Sequence, residues 1–114
     1  MPAVVLDTNF IIICIKQKID FFEELSLMGF KILIPDKVLG ELEKLKRNFE
    51  LDYLERYKTS YKIIKFKKGY VDKGMIEYGK KHEKAVIATL DSDLKSKLAN
   101  RIMVVRGKKT LEIV

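Results

Sequence analysis

Two uninterrupted apolar runs each end in an aspartate, and this repeated pattern restricts the fold more than any other feature of the chain. Val4-Val5-Leu6 leads into Asp7-Thr8-Asn9, and Ala85 to Leu90 (AVIATL) leads into Asp91. A strand that is apolar at every position, rather than at alternate ones, is buried on both faces, as in the middle of a parallel sheet. Open α/β sheets bind their ligands beyond the carboxyl ends of the strands. If the two strands are parallel, both carboxylates stand on that edge. Asp7 also has an ordinary reading, because Asp, Thr and Asn are favoured helix N-caps and the apolar run Ile11 to Ile15 comes next. The tripeptide alone leaves the two readings open.

The remaining segments alternate in period. Asn9 to Gln17 and Ile19 to Met28 have the length and apolar content of helices, the second stopped by Gly29. Lys31 to Ile34 is a short strand closed by Pro35, with Asp36 placed to cap the next helix. From Lys37 to Phe49, apolar residues recur at Val38, Leu42, Leu45 and Phe49, which predicts one helix with that stripe on the core. At about 100° per residue, Glu41 lies roughly 80° from the centre of the stripe and Glu43 roughly 120°. Glu41 is therefore placed to reach a cleft at the core margin, and Glu43 to face solvent.

Leu51 to Lys58 continues as helix, Tyr61 to Phe66 (YKIIKF) is a strand, and Tyr70 to Lys81 is a helix. There Asp72 shares a face with Met75, Ile76 and Gly79. A carboxylate on an apolar face needs a partner, since an unpaired buried charge is strongly unfavourable. A metal ion, the helix dipole, or Lys68 or Lys73 would serve. Leu94 and Leu98 mark a last helix, Ile102 to Val105 a strand, Gly107 a turn, and Thr110 to Val114 a final strand. Strands alternating with helices predict one α/β domain over residues 1–114, built on a mainly parallel sheet.

Composition removes several classes of chemistry. One cysteine, Cys14, and one histidine, His82, leave His/Cys zinc sites and Ser-His or Cys-His hydrolases almost nothing to work with. Cys14 lies within an apolar run and reads as a buried, inert thiol. No apolar stretch is long enough for a membrane span and no leader pattern is present, so the cytoplasm is the expected compartment. The net charge of +7 is uneven. Residues 1–57 hold eight basic and ten acidic residues, a net −2, against fifteen and six in residues 58–114, a net +9. The basic residues gather as Lys62, Lys65, Lys67, Lys68 and Lys73, and as Lys95, Lys97, Arg101, Arg106, Lys108 and Lys109. Such a field suits a polyanion. A lysine-rich solvated surface of the thermophile kind would give the same count.

Asp7, Glu41, Asp72 and Asp91, with Asp93 beside the last, are thus candidates to converge at one end of the sheet. Converging carboxylates raise one another's pKa and oppose folding, and a divalent cation reverses that sign. Oxygen-only donors select hard ions, Mg²⁺ or Mn²⁺. In a basic protein such ions would sit at a phosphate, activating water and stabilising a leaving 3′ oxygen.

These residues resemble, in order and over nearly the whole chain, the PIN domain of metal-dependent endoribonucleases: DTN at Asp7 to Asn9, VLGELEKL carrying Glu41, VDKGMI carrying Asp72, and ATLDSDLK carrying Asp91 and Asp93. The resemblance implies a three-layer α/β sandwich on a five-stranded parallel sheet, with Asp7, Glu41, Asp72 and Asp91 as the catalytic acids. Asp7, Asp72, Asp91 and Asp93 would hold Mg²⁺ or Mn²⁺, Asp93 as an auxiliary ligand or a helix cap. Thr8, Asn9 and Thr89 would support the carboxylates and the water by hydrogen bonds. Lys67, Lys68, Lys95 and Arg101 would contact RNA. It also implies a homodimer and, for a toxin-type member, an antitoxin protein as partner. TLDSDLKSKL is closer to the members that process small-subunit ribosomal RNA, whereas small free-standing members are most often toxins. The segment between Glu41 and Asp72 is short for the family, and no distinctive residues flank Asp72.

Two other readings compete. Aspartyl-phosphate chemistry uses D-x-D-x-T after the first strand, and here Asn9 replaces the second acid. The other is a non-catalytic RNA-binding module with the same fold; a complete set of acids argues against it.

Overall fold

The computed structural model describes residues 1–67, 69–107 and 109–114. Its elements run β1 (Ala3–Leu6), α1 (Thr8–Lys16), α2 (Phe21–Leu27), β2 (Lys31–Pro35), α3 (Asp36–Lys44), α4 (Asn48–Arg56), a 3-10 turn at Lys58–Ser60, β3 (Lys62–Ile64), α5 (Val71–Lys81), β4 (Val86–Ala88), α6 (Ser92–Ser96), β5 (Ile102–Arg106) and β6 (Thr110–Ile113). The strands form one sheet in the order β3-β2-β1-β4-β5-β6. The first five are parallel, and β6 returns antiparallel to β5, with Met103 opposite Ile113 and Arg106 opposite Thr110. The sheet therefore has one strand more than the family resemblance implies, at the segment that the sequence reads as a final strand.

Val4, Val5 and Leu6 of β1, and Ile87 and Ala88 of β4, are fully buried at the centre of this sheet. The outermost strand, β3, is polar and exposed at its start, as an unpaired edge requires. From β1 the chain steps outward to β2 and β3, then returns across the sheet to β4 and continues to β5. Right-handed crossovers then put α1 to α4 on one face and α5 and α6 on the other, giving three layers. The direction reverses between β1 and β4. That switch point is where the ends of adjacent strands diverge and leave a crevice. No helix among the described residues is long and apolar enough to cross a membrane.

The predicted helix from Lys37 to Phe49 is two helices. After α3, Lys46 adopts φ 56°, its N–H donates to the Glu43 carbonyl, and the Arg47 N–H donates to the Leu42 carbonyl. These two bonds close a Schellman motif around Lys46, a place usually taken by glycine. The turn ends the buried stripe after Val38 and Leu42; Leu45 and Phe49 are 55% and 65% exposed instead of facing the core. The same pair of bonds ends α1 and α2, donated by the N–H groups of Lys18 and Ile19 and of Gly29 and Phe30, with Lys18 and Gly29 at positive φ.

Candidate active site

The crevice is built from the two strand ends. The Asp7 N–H continues the ladder by donating to the Ala88 carbonyl at 2.9 Å. Its carboxylate accepts the Thr8 N–H at 2.8 Å through Oδ1 and the Thr89 hydroxyl at 2.7 Å through Oδ2. Thr89, fully buried, also accepts the Asp91 N–H at 3.2 Å. One hydroxyl thus ties the first strand-end aspartate to the backbone of the second. Asp7 also caps α1, so the ordinary N-cap reading of the sequence is met by the same Oδ1 bond to the Thr8 N–H. Asp91 likewise caps α6, its Oδ1 accepting the N–H groups of Asp93 at 3.0 Å and Leu94 at 3.3 Å.

Glu41 lies half-buried on α3, and Glu43 is exposed, as the helical geometry predicts. Asp72 stands in the first turn of α5 and is exposed, while Val71, Gly74 and Met75 are buried. The apolar face of α5 therefore forces no partner on Asp72, because the first helical turn opens to solvent there. What relates Asp72 to the other acids is its charge. Burial is the first cause of a raised Asp7 pKa, opposed by the Thr89 and Thr8 hydrogen bonds and reinforced by the charges of Asp72 and Glu41. The Asp72 pKa is raised as well, first by lost hydration on its protein side, then by Asp91, Glu41 and Asp93, against a lowering contribution from Lys97.

Asp7 thus feels Asp72 and Glu41, and Asp72 feels Asp91, Glu41 and Asp93, yet no three His, Cys, Asp or Glu side chains among the described residues stand close enough to hold a metal ion. The acids share a field without meeting at one point. Their all-oxygen donor set and mutual repulsion suit a hard divalent cation. Asp72 and Asp93 are exposed, Asp93 with its Oδ2 3.3 Å from Lys97 Nζ. The Thr8 hydroxyl is buried beside Asp7 without a hydrogen-bond partner among the described residues, an orphan that a bound water would satisfy.

Among the supporting residues, Thr89 makes the bond foreseen for it. Thr8 supplies its backbone N–H rather than its hydroxyl, and Asn9 is exposed, with no side-chain hydrogen bond to the acids among the described residues. Lys67 is exposed just beyond β3, on the acid edge, and Lys95 is half-buried in α6. Arg101 precedes β5 and so lies toward the opposite edge, its carbonyl accepting the Ile87 N–H. Lys68 and Lys108 fall outside the described residues.

Two contributors went unforeseen. Asp36 does not cap α3; its Oδ1 accepts the Phe66 N–H at 3.0 Å and draws the segment after β3 onto the end of β2. Phe66 in turn packs where a Cβ at Gly74 would collide with its ring, which seats the helix carrying Asp72. Lys97 Nζ lies 3.3 Å from Asp93 Oδ2 and brings a positive charge to the acids. The signal was an i, i+4 Asp-Lys pair, ordinary on any exposed helix.

The model of the PIN like domain matches residues 4–108. Ribonuclease VapC4 of Methanocaldococcus jannaschii is 34% identical over 99% of this chain and 97% of its own length. The rRNA-processing protein fcf1 of Schizosaccharomyces pombe is 33% identical over 83% of this chain, which spans about half of that protein, 52%. The solved structure of the PIN domain endonuclease Utp24 superposes with a TM-score of 0.83 at 28% identity, over 97% of this chain and 90% of the other. VapBC2 from Rickettsia felis, bound to a DNA fragment, shares the fold at a TM-score of 0.57 and 19% identity, over 88% of this chain and 98% of that one. With these relatives and this arrangement of strand ends, the chain belongs to the PIN-like domain family.

Proposed function

We propose that this protein is a divalent-metal-dependent endoribonuclease that hydrolyses RNA phosphodiester bonds. The observation that carries the reading is the Thr89 hydroxyl joining the Asp7 carboxylate to the Asp91 N–H at the switch point, within the field of Glu41 and Asp72. The ribonuclease among its full-length relatives supports the reaction class. Asp7, Asp72, Asp91 and Asp93 would hold Mg²⁺ or Mn²⁺, which when bound lowers the pKa of water and stabilises a leaving oxygen. Asp7 is the fixed acceptor, since both its oxygens are aimed by Thr8 and Thr89. Glu41 adds the negative charge that draws in the cation. Lys97 and Lys67 offer donors to phosphate oxygens beside the acids.

Cleavage of an end-labelled single-stranded RNA with Mn²⁺, Mg²⁺ or chelator, alongside Asp7→Asn prepared identically, tests this reading. Metal-dependent cutting that disappears in the variant supports it. RNA bound equally with and without metal and never cut overturns it in favour of a binding module. The RNA target takes one of two forms: a toxin's cellular target with an antitoxin as partner, as the family resemblance implies, or a ribosomal precursor, as the name of the rRNA-processing relative suggests. Cutting of precursor ribosomal RNA at one position, against cutting of many RNAs, separates them. We also propose a homodimer in the cytoplasm, with exposed Leu45 and Phe49 as apolar surface for the dimer. A monomer in sedimentation at micromolar concentration would sink the dimer.

A further inference from the structure

At the sheet edge opposite the acids, Lys31 and Lys62 open β2 and β3 beside a cleft of about 530 Å³ lined also by Phe22, Tyr57 and Tyr61. Its rings are aligned rather than scattered. Phe22 stacks on Tyr57 at 5.2 Å and 20°, on Tyr61 at 5.6 Å and 16°, and on Tyr53 at 6.2 Å and 14°. The Tyr61 hydroxyl donates to the Leu54 carbonyl at 3.1 Å, fixing its ring in the array. Tyr57, which lines the cleft, remains 36% exposed. Around it stand the exposed hydroxyls of Thr59 and Ser60 and the exposed ammonium groups of Lys31 and Lys62.

We infer that this cleft binds an unpaired nucleotide of single-stranded RNA, its base on Tyr57 and its phosphates on Lys31 and Lys62. A preformed aromatic face suits any base, and neighbouring lysines track the backbone charge. The volume lies within the range of small-ligand pockets. Asp20, whose Oδ1 also accepts the Glu23 N–H at 3.2 Å, and Glu23 line the cleft and supply acceptors for base N–H groups, which an anion site without a base would not use. A protein partner would be met by a more continuous apolar surface than rings set among hydroxyls and charges. The inference rests on the ribonuclease reading for the identity of its ligand. It makes the cleft a second hold on the substrate, reached only by an RNA long enough to cross the molecule, whose longest extent is 31 Å.

The test measures anisotropy of a labelled oligoadenylate in chelator, where cleavage is silent, for the native chain, Tyr57→Ala and Tyr57→Phe. Stacking predicts about tenfold weaker binding for Tyr57→Ala and native affinity for Tyr57→Phe. The double variant Lys31→Gln/Lys62→Gln should flatten the slope of log affinity against log salt by about 1.4, or about 0.7 for each single-strand phosphate released. A dinucleotide substrate, too short to reach the cleft, should be cut equally by the native chain and Tyr57→Ala. Unchanged oligomer affinity in Tyr57→Ala overturns the inference. If that variant fails to fold, an unchanged salt slope in the lysine double variant overturns it instead. Tyr57-dependent RNA binding by a native chain that cuts nothing would end the ribonuclease reading and leave this cleft standing; a chain that cuts RNA and binds the oligoadenylate equally well with and without Tyr57 would do the reverse.

Discussion

Asp7 and Asp72 belong to the same cluster of charge and meet it from opposite environments. Asp7 is 4% exposed, both oxygens held by donors that belong to the strand ends. Asp72 is exposed on the first turn of a helix and feels the cluster mainly through lost hydration and three neighbouring acids. The pair shows how a site of like charges coexists with a stable fold. The buried carboxylate is immobilised where the backbone already supplies donors, and the others stay where water screens them until a counterion arrives.

The largest effect should come from the buried member. Asp7→Asn should cut metal-dependent cleavage by about 10²–10³-fold, the loss seen when a group acting directly on the transition state is removed. Rates at saturating RNA and metal check this.

Thr89→Val tests whether the pin matters apart from the carboxylate. It leaves an Asp7 oxygen and the Asp91 N–H without a partner, so activity should fall by about 10–100-fold and stability by about 1–3 kcal/mol. Because this hydrogen bond lowers the Asp7 pKa, its removal should move the acidic limb of the rate profile to higher pH. Thr89→Ser, which keeps the hydroxyl, should restore most of both. An unchanged pH profile in Thr89→Val would show that the bond is only structural.

Asp72→Asn should lose about tenfold in activity while the unfolding free energy from denaturant titration changes by no more than about 0.5 kcal/mol, as for surface substitutions generally. It should shift the acidic limb downward, since the Asp72 charge raises Asp7. Opposite shifts from Thr89→Val and Asp72→Asn would sharpen the contrast between pin and field.

The smallest effect is on stability without metal. The folded-state pKa of Asp7 lies above its ordinary 3.8. Between the two values the native chain retains a proton that the unfolded chain has lost, so stability falls as pH rises through that window. Asparagine has no such dependence. In chelator, the melting temperature of the native chain should therefore decline relative to Asp7→Asn as pH climbs above 3.8. Added Mn²⁺ should narrow the gap, because binding to the native state offsets the repulsion.

The sequence was legible where one local signal had one structural answer. Gly29 announces a helix end because glycine adopts positive φ freely. Lys18 and Lys46 make the same turn with the same bonds and announce nothing, since lysine in that conformation is stabilised by the surrounding hydrogen bonds rather than by its own propensity. Joining α3 to α4 was the result, and with it the assignment of Leu45 and Phe49 to the core. Asp36 failed for a related reason. A capping aspartate and one that reaches across thirty residues to the Phe66 N–H look alike in one dimension.

By itself the sequence determined the buried parallel strands, the alternation with helices, and the placing of Asp7 and Asp91 at strand ends, because apolar period and strand polarity are local properties. It determined that Glu41, and not Glu43, turns toward the core margin, since helical geometry fixes that angle. Only the tertiary structure decided that the chain reverses direction between β1 and β4, that Thr89 links the two aspartates across 82 residues, and that Asp72 enters the cluster from solvent. Those outcomes depend on which strands become neighbours, and a hydrogen bond or a shared field forms only after the chain has brought distant residues together.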